Sequence, residues 1–301
     1  MTTDLKVAVR DSRQRTRIWD ARSGRLIEEL EPGGEDCDSL GVASPDGRWE
    51  AVNWPRCVAV HDTRTGKIAT RTSLDWPFQV WSWSPDGRRL LLMTKGVWKG
   101  SDFLWVWSPF EGEEPRKLDT YYSDMSFSIT GAAWSPDGRT IVSAAHWGLG
   151  FFDADSRALL ARHSERTRVS SVAWSSRGIL ALKRSDAGVR LVRPRGRFPS
   201  EEEIESVGVQ FFTGNGGVTW SPDGEVLAIG NGAALQFISA DTLSHLPARL
   251  FSCVTFAFFP KGHCIAAGLE DDTVLLFDPI QGAKTITPVA PGGPDSSNSK
   301  D

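Results

Sequence analysis

The stretch Gln79-Val-Trp-Ser-Trp-Ser-Pro-Asp-Gly87 decides the fold of this chain, because its last four residues recur along the sequence. Ser-Pro-Asp-Gly begins at Ser44, Ser84, Ser135 and Ser221, and degenerate copies begin at Ser175 and Phe259. Successive starts are 40, 51, 40, 46 and 38 residues apart. Proline presets φ, aspartate bonds back to the local backbone and glycine supplies a positive φ, so each copy predicts a hairpin turn. A hairpin repeated every ~40 to 45 residues is typical of a β-propeller blade.

Short apolar segments recur at fixed distances from these turns. The segment before a turn, such as Gly131-Ala-Ala-Trp134, is predicted to be the inner strand of a unit, and the segment after it, such as Leu90-Leu-Leu-Met93, the second strand. Seven third strands can be counted, several of which end in Asp near the same distance from the turn, as at Asp62, Asp153 and Asp278. The sequence therefore predicts an all-β, seven-bladed propeller of four-stranded antiparallel blades.

The two ends of the chain depart from the repeat. Asp62 and Asp153 lie 18 residues after the start of a turn, and the same spacing from Asp20 puts the turn of the first unit near residue 2. The first blade is therefore expected to lack its inner strand. A six-bladed ring with a detached N-terminal segment is the alternative. We expect the propeller to cover residues 1–289, and residues 290–301, rich in Gly, Pro and Ser, to form a flexible polar tail.

Charge and hydropathy exclude some partner classes. The chain has 34 Lys and Arg against 38 Asp and Glu, a formal charge of −4, so no global basic field favours nucleic acid or anionic lipid. No apolar run approaches the ~20 residues that cross a bilayer. The first residues also lack the apolar core of a signal peptide. We therefore expect a cytoplasmic protein with neither a membrane nor a nucleic-acid partner.

These repeats resemble the WD40 family across residues 4–290. The family's Trp-Asp pair is complete only at Trp19-Asp20, and its Gly-His pair is absent from the family's usual position in every repeat, since Gly262-His263 lies at a degenerate copy of the turn. The resemblance implies a non-catalytic scaffold that presents loops to a protein or peptide partner. It also implies two faces: the Ser-Pro-Asp-Gly turns emerge on one, here called the tip face. The loops between second and third strands and between consecutive units emerge on the other, here called the loop face.

Aromatic residues and insertions make the loop face the predicted docking surface. Insertions occur at 94–103, 119–127 and 194–215, all assigned to this face. Tyr and Trp are enriched at binding hot spots. The candidate partner-binding residues are Trp54, Trp76, Trp98, Tyr121, Tyr122 and Trp147. The alternative is that they cover blade edges or plug the channel mouth. A different set recurs at fixed inner-strand positions and is predicted to be core: Trp81, Trp83, Trp134, Trp174 and Trp220.

Catalytic and metal-binding motifs are absent from the sequence, so we expect no catalytic residue, no metal and no cofactor. The five histidines are spread over four repeat units, without metal-ligand spacing. An enzyme with a composite channel-mouth site, for which His146 is the first candidate, is one alternative. A sensor portion of a larger signalling protein is another. The basic run that starts at Lys183 and Arg184 is interpreted as a solvated surface balanced by Glu201–Glu205 rather than as a phosphate site.

Overall fold

The computed structural model describes residues 41–54, 57–73, 78–98, 101–119, 128–145, 148–164, 168–184, 188–193, 217–230, 234–251, 253–258, 262–269 and 274–281, with three strands before residue 31. The regular elements in these ranges are all β-strands, which confirms the all-β prediction. Within the same ranges, no helix has the length and hydropathy needed to span a membrane.

The strands form seven antiparallel sheets, here numbered in chain order. Sheet 1 contains β1 Lys6–Arg10, β2 Thr16–Asp20 and β3 Leu26–Leu30, and sheet 2 contains β4 Val42–Ala43, β5 Trp49–Trp54, β6 Cys57–Asp62 and β7 Ile68–Ser73. Sheet 3 contains β8 Phe78–Trp83, β9 Leu90–Trp98, β10 Ser101–Trp107 and β11 Arg116–Lys117, and sheet 4 contains β12 Ile129–Trp134, β13 Thr140–Ala145, β14 Gly148–Asp153 and β15 Leu159–Ser164. Sheet 5 contains β16 Val169–Trp174, β17 Leu180–Arg184 and β18 Gly188–Val192. Sheet 6 contains β19 Val218–Trp220, β20 Val226–Gly230, β21 Ala234–Ser239 and β22 His245–Phe251, and sheet 7 contains β23 Cys253–Phe258, β24 Ile265–Leu269 and β25 Val274–Phe277.

Each sheet is a meander in which consecutive strands pair, so the predicted blade topology is confirmed. Sheet 1 has three strands in the described part of the chain, and its β2 is the segment predicted as a third strand. The turns join first to second strands in register, with Trp83 opposite Leu90 and Trp134 opposite Ile141. The number of blades in the closed ring and the boundary at residue 290 stay predictions.

The core lies between the sheets. Leu90 and Leu92 of β9 pack toward sheet 2, whereas Leu91 and Met93 pack toward sheet 4. Successive side chains of a strand point to opposite faces, and a strand covered on both faces is apolar throughout. All four residues are at most 1% exposed. Truncating Leu91 to alanine is expected to cost about 2–5 kcal/mol.

Candidate functional site

Four hairpin turns at the tip face are closed by the same hydrogen bonds. In one of them, the Ser135 hydroxyl donates to Asp137 Oδ1 over 2.5 Å and accepts the Thr140 N–H over 2.9 Å. Asp137 Oδ1 also accepts the Arg139 N–H at 3.0 Å. Gly138 has φ 68°, a left-handed conformation that glycine adopts without steric cost. The turn thus fixes the ends of two strands and the direction of its aspartate.

Hydrogen bonding keeps the turn aspartates ionised. The Ser44 hydroxyl, and then the Arg48 N–H, lower the pKa of Asp46. Burial is the largest influence on the pKa of Asp86 and Asp137 and acts to raise it. Hydrogen bonds from the serine hydroxyl and the following N–H, together with the charges of nearby arginines, act in the opposite direction, and the pKa of both carboxyls lies below its ordinary value. Negative charges therefore stand at the tip face at neutral pH.

A cavity of about 420 Å³ opens at the tip face among the inner strands of sheets 3 to 6. The last residue of each of these strands is a tryptophan that lines it: Trp83, Trp134, Trp174 and Trp220. Trp81 and the turn prolines Pro85, Pro136 and Pro222 complete much of the wall. The repeat thus places one indole per blade around a common space.

The prediction that these tryptophans belong to the core is correct but incomplete. Trp83, Trp134 and Trp220 are 6%, 6% and 8% exposed, and each packs in the core between its own sheet and the preceding one. Trp81 and Trp174 are only partly buried. All five also line the cavity. The available signal was the order Trp-Ser-Pro-Asp-Gly at Trp83, Trp134 and Trp220, with Trp174 before a degenerate turn, which puts one indole per sheet at the strand end next to the turn.

Indole N–H groups connect neighbouring sheets around the cavity. Trp83 Nε1 donates to the Val42 carbonyl at 2.8 Å, and Trp220 Nε1 donates to the Ala173 carbonyl at 3.2 Å. Trp81 Nε1 donates in the other direction, to Ala132 at 2.7 Å. No described residue accepts a hydrogen bond from Trp134 Nε1 or Trp174 Nε1, both buried. The cavity wall is therefore held by bonds across some sheet boundaries and by packing at others.

The described wall of the cavity is mostly apolar, with a few hydroxyl groups. The polar side chains among the described residues that line it are the hydroxyls of Ser82, Ser176, Thr219 and Ser221. The described lining includes no carboxylate, imidazole, thiol or amine that could act as a general acid or base. The remaining lining side chains are indoles, prolines, alanines and valines.

Arginines tie neighbouring turns together at the tip face. Arg177, in the degenerate turn of sheet 5, contacts Glu225 at 2.5 Å and Asp241 at 2.9 Å, both on sheet 6. Ser176 also donates to the Pro222 carbonyl at 3.0 Å. A second cavity of about 450 Å³ lies near sheets 3 and 4 and is lined mainly by charged side chains, among which Arg89 pairs with Asp155 and Arg116 pairs with Glu113.

The predicted docking residues lie largely beyond the part of the chain that the structure describes. Trp54 and Trp98 are the last residues of β5 and β9. Trp76, Tyr121, Tyr122 and Trp147 are outside the described residues, as is His146. The loop-face site therefore stays a prediction, and the described cavity is a site that sequence reasoning missed.

Two polar residues near the loop face have structural contacts. Asp102, buried to 9% exposure, accepts the Ile129 N–H through Oδ2 at 2.8 Å. Lys183 was interpreted as part of a solvated basic run, and that interpretation is wrong for this residue. It lies on β17, is 2% exposed and donates from Nζ to the Gly230 carbonyl at 2.7 Å. Burial lowers the pKa of its ammonium group.

Comparison with known proteins agrees with this architecture. The family model described as "WD domain, G-beta repeat" matches residues 116–149, which run from the outer strand of sheet 3 to the third strand of sheet 4. Among solved structures, the β-propeller domain of Cps50 (Swd1) from Myceliophteria thermophila matches with a TM-score of 0.66 and 16% identity, covering 89% of this chain and 91% of that one. No curated protein matches the sequence at a significant level.

The structural likeness identifies an architecture and not a partner, because 1544 chains of solved structures match this one. The matched repeat spans a complete turn of the kind described above, with Ser135–Gly138 at its centre. Repeat sequence, sheet topology and overall likeness agree on a β-propeller fold, and one repeat of the chain, at 116–149, matches the WD domain, G-beta repeat model.

Proposed function

We propose that this propeller is a non-catalytic interaction platform that captures a cationic side chain, arginine or lysine, of a protein partner in the Trp-lined cavity of the tip face. The observation that carries the proposal is the convergence of five indoles from four sheets on one space of about 420 Å³. Ligand pockets in proteins commonly have ~300 to 1,000 Å³ and apolar, aromatic walls. A space of this size accommodates one long side chain with part of its backbone.

The chemistry of the wall and its surroundings favours a cation. The face of an indole attracts a guanidinium or ammonium group by about 0.5–2 kcal/mol. Arg89 already uses this interaction, with its guanidinium carbon 5.1 Å from the centroid of Trp134. Asp86 and Asp137 follow directly on two lining prolines and have lowered pKa values, so their charges attract a basic segment to the opening.

The same lining argues against the enzymatic alternative. Hydrolases and lyases need a positioned acid, base or nucleophile with a partner that activates it. The hydroxyls in the described lining have no titratable neighbour on the cavity wall. Binding, without chemical conversion, is the function that this wall supports.

A pair of defined peptides tests the proposal. An acetylated Gly-Ser-Arg-Ser-Gly peptide and its citrulline counterpart differ in the charge of one side chain and are nearly identical in shape. We expect the arginine peptide to quench the tryptophan fluorescence of the full chain saturably and the citrulline peptide to bind at least about tenfold more weakly. Equal binding of the two peptides would contradict the proposal that the cavity binds a cationic side chain.

A matched pair of variants locates the binding site. Trp174→Ala removes a partly buried cavity wall, whereas Trp49→Ala removes a partly buried indole that stacks on Phe110 away from the cavity. Calorimetric titration with the arginine peptide should show affinity lost in Trp174→Ala and retained in Trp49→Ala. Retention in both variants, each shown by circular dichroism to be folded, would place the site elsewhere.

The loop face remains a second proposed docking surface, supported by its aromatic composition. A triple variant, Trp98→Ala with Tyr121→Ala and Tyr122→Ala, should lose a specific co-purifying protein that the wild type retains. If the same partners persist with both forms, the loop face is not the docking surface. Because this variant leaves the tip face intact, the two surfaces can be tested separately.

A further inference from the structure

We infer that the tip face binds a divalent cation of the zinc class between sheets 6 and 7, through Asp223, Glu225 and His263. Asp223 and Glu225 belong to the turn that joins β19 to β20, and His263 follows the degenerate turn before β24. One ligand atom from each of the three residues lies within 4.8 Å of the others. The set combines an imidazole nitrogen with two carboxylate oxygens, which are ligands that Zn²⁺ accepts.

The spacing of the donor atoms fits a tetrahedral ion. His263 Nδ1 lies 3.2 Å from Asp223 Oδ2 and 3.6 Å from Glu225 Oε2. Zinc bonds to nitrogen and oxygen of about 2.0–2.2 Å in a tetrahedral arrangement separate neighbouring ligand atoms by about 3.4 Å. The two distances lie on either side of this value, so small side-chain rotations would complete three of four ligand positions. The fourth would be left for water.

The other oxygen of each carboxylate ligand is held by further hydrogen bonds. Oδ1 of Asp223 is occupied by the Ser221 hydroxyl at 2.5 Å and the Glu225 N–H at 3.0 Å, which leaves Oδ2 to face the imidazole. Oε1 of Glu225 is occupied by Arg177 at 2.5 Å, which leaves Oε2. Such supporting contacts typically accompany metal ligands.

The second imidazole nitrogen supplies the strongest argument. His263 Nε2 lies 3.3 Å from Asp278 Oδ1, so a proton on Nε2 can be donated to that carboxylate. In this tautomer the lone pair of Nδ1 faces Asp223 Oδ2 and Glu225 Oε2, an arrangement that a cation between the three atoms would stabilise. A carboxylate that accepts the other N–H of a ligating histidine is the usual arrangement at zinc sites.

Three of the corresponding turns have arginine at the position of Glu225 and His263, and sheet 5 has Ile179 there. The residue after the turn glycine is Arg48, Arg88 and Arg139 in sheets 2, 3 and 4. At the same position sheet 6 has Glu225 and sheet 7 has His263. A carboxylate and an imidazole thus occupy positions that are arginine in sheets 2 to 4. An ion at this place would join the turns of two blades.

Titration of the full chain with zinc tests the inference. The protein is treated with a chelator, dialysed and titrated with ZnCl₂ in a calorimeter at pH 7. We expect one ion per chain at about micromolar affinity or better, weakened at least about tenfold in His263→Gln and in Glu225→Gln. His163→Gln, which changes a histidine on sheet 4, is the control and should bind as the wild type does. Absence of binding, or equal binding by all variants, would overturn the inference.

Cobalt identifies the ligand type, because free thiols can also take zinc. Cys57 and Cys264 are free cysteines among the described residues, and Cys264 follows His263 directly. Co²⁺ held by nitrogen and oxygen shows weak visible bands without an intense thiolate charge-transfer band. Weak bands that disappear in His263→Gln would support the site, and a thiolate band would contradict it. If circular dichroism shows that His263→Gln does not fold, the visible bands are compared between the wild type and Glu225→Gln instead.

Discussion

Arg89, directly before β9 of sheet 3, donates from Nη1 to Asp155 of sheet 4 over 2.8 Å. Its Nη2 donates to the Gly138 carbonyl over 2.7 Å, and its guanidinium lies over the Trp134 ring. One side chain therefore contacts the carboxylate, the turn backbone and the cavity indole of the next blade. These contacts lie beside the Trp-lined cavity and hold two of its turns in position.

Replacing Arg89 should test how much of this bridge contributes to stability. Arg89→Ala is expected to lower the free energy of unfolding by about 1–2 kcal/mol, because it removes a charge-assisted bond to a carbonyl and a cation–π contact. Asp155→Asn should cost less than about 0.5 kcal/mol, since Asp155 is 78% exposed and exposed ion pairs contribute little. Urea unfolding monitored by circular dichroism compares the two. Equal losses would show that the ion pair, and not the turn contact, carries the bridge.

The fold could be predicted from the sequence because each repeat has the same kind of turn and the same apolar strands at similar spacing. Ser-Pro-Asp-Gly specifies a turn by proline geometry, aspartate capping and glycine conformation, and all four copies form it. Apolar strands such as Leu90-Leu-Leu-Met93 are buried on both faces, which the unbroken run of apolar residues indicates. Fold class and strand order therefore follow from spacing and composition.

The candidate sites could not be predicted in the same way because they depend on contacts between repeats. His263 and Asp223 are 40 residues apart and meet only when two turns approach, so the search for metal-ligand spacing within one repeat could not find them. Lys183 belongs to a run of charged residues, so the sequence predicts that it lies at the surface. It is buried because the second strand of a blade is covered on both faces. The cavity likewise exists only once four indoles converge.

The turn aspartates predict a specific acid sensitivity. The pKa values of Asp46, Asp86 and Asp137 are lowered in the folded protein, so between the folded and unfolded pKa values the unfolded chain binds more protons. Their contribution to stability is complete above the unfolded value of about 3.9 and is lost as pH falls through the folded values. We expect the free energy of unfolding to decrease below about pH 5, measured by urea titrations at a series of pH values.

Asp137→Asn checks the origin of that acid sensitivity. The variant should be less stable at neutral pH and should lose less stability than the wild type on acidification, because one protonation site with a lowered pKa is gone. Asp155→Asn removes an exposed carboxylate of the same blade and serves as the control. An unchanged pH dependence in Asp137→Asn would exclude this turn as a source of the effect.

Two glycines with positive φ should differ sharply in their tolerance of a side chain. Gly148, at φ 143°, would direct a Cβ into the backbone carbonyl of His163, whereas Gly66, at φ 67°, faces open space. Gly148→Ala should therefore destabilise by about 3 kcal/mol or more, since a backbone collision is added to an unfavourable φ. Gly66→Ala should cost only about 1 kcal/mol, the price of a left-handed alanine. Thermal unfolding of both variants provides the comparison, and similar melting temperatures would contradict the predicted collision.

Trp83 and Trp134 form a matched pair for measuring the indole bond between sheets. Each is the last residue of its inner strand, lines the cavity and is 6% exposed. Trp83 Nε1 donates to the Val42 carbonyl at 2.8 Å, whereas no described residue accepts a bond from Trp134 Nε1. Conversion to phenylalanine removes the same volume from both, but only Trp83→Phe breaks an indole hydrogen bond. Trp83→Phe should therefore be about 1–2 kcal/mol more destabilising than Trp134→Phe in guanidinium unfolding followed by circular dichroism. Equal losses would mean that packing alone holds sheet 3 against sheet 2 at this position.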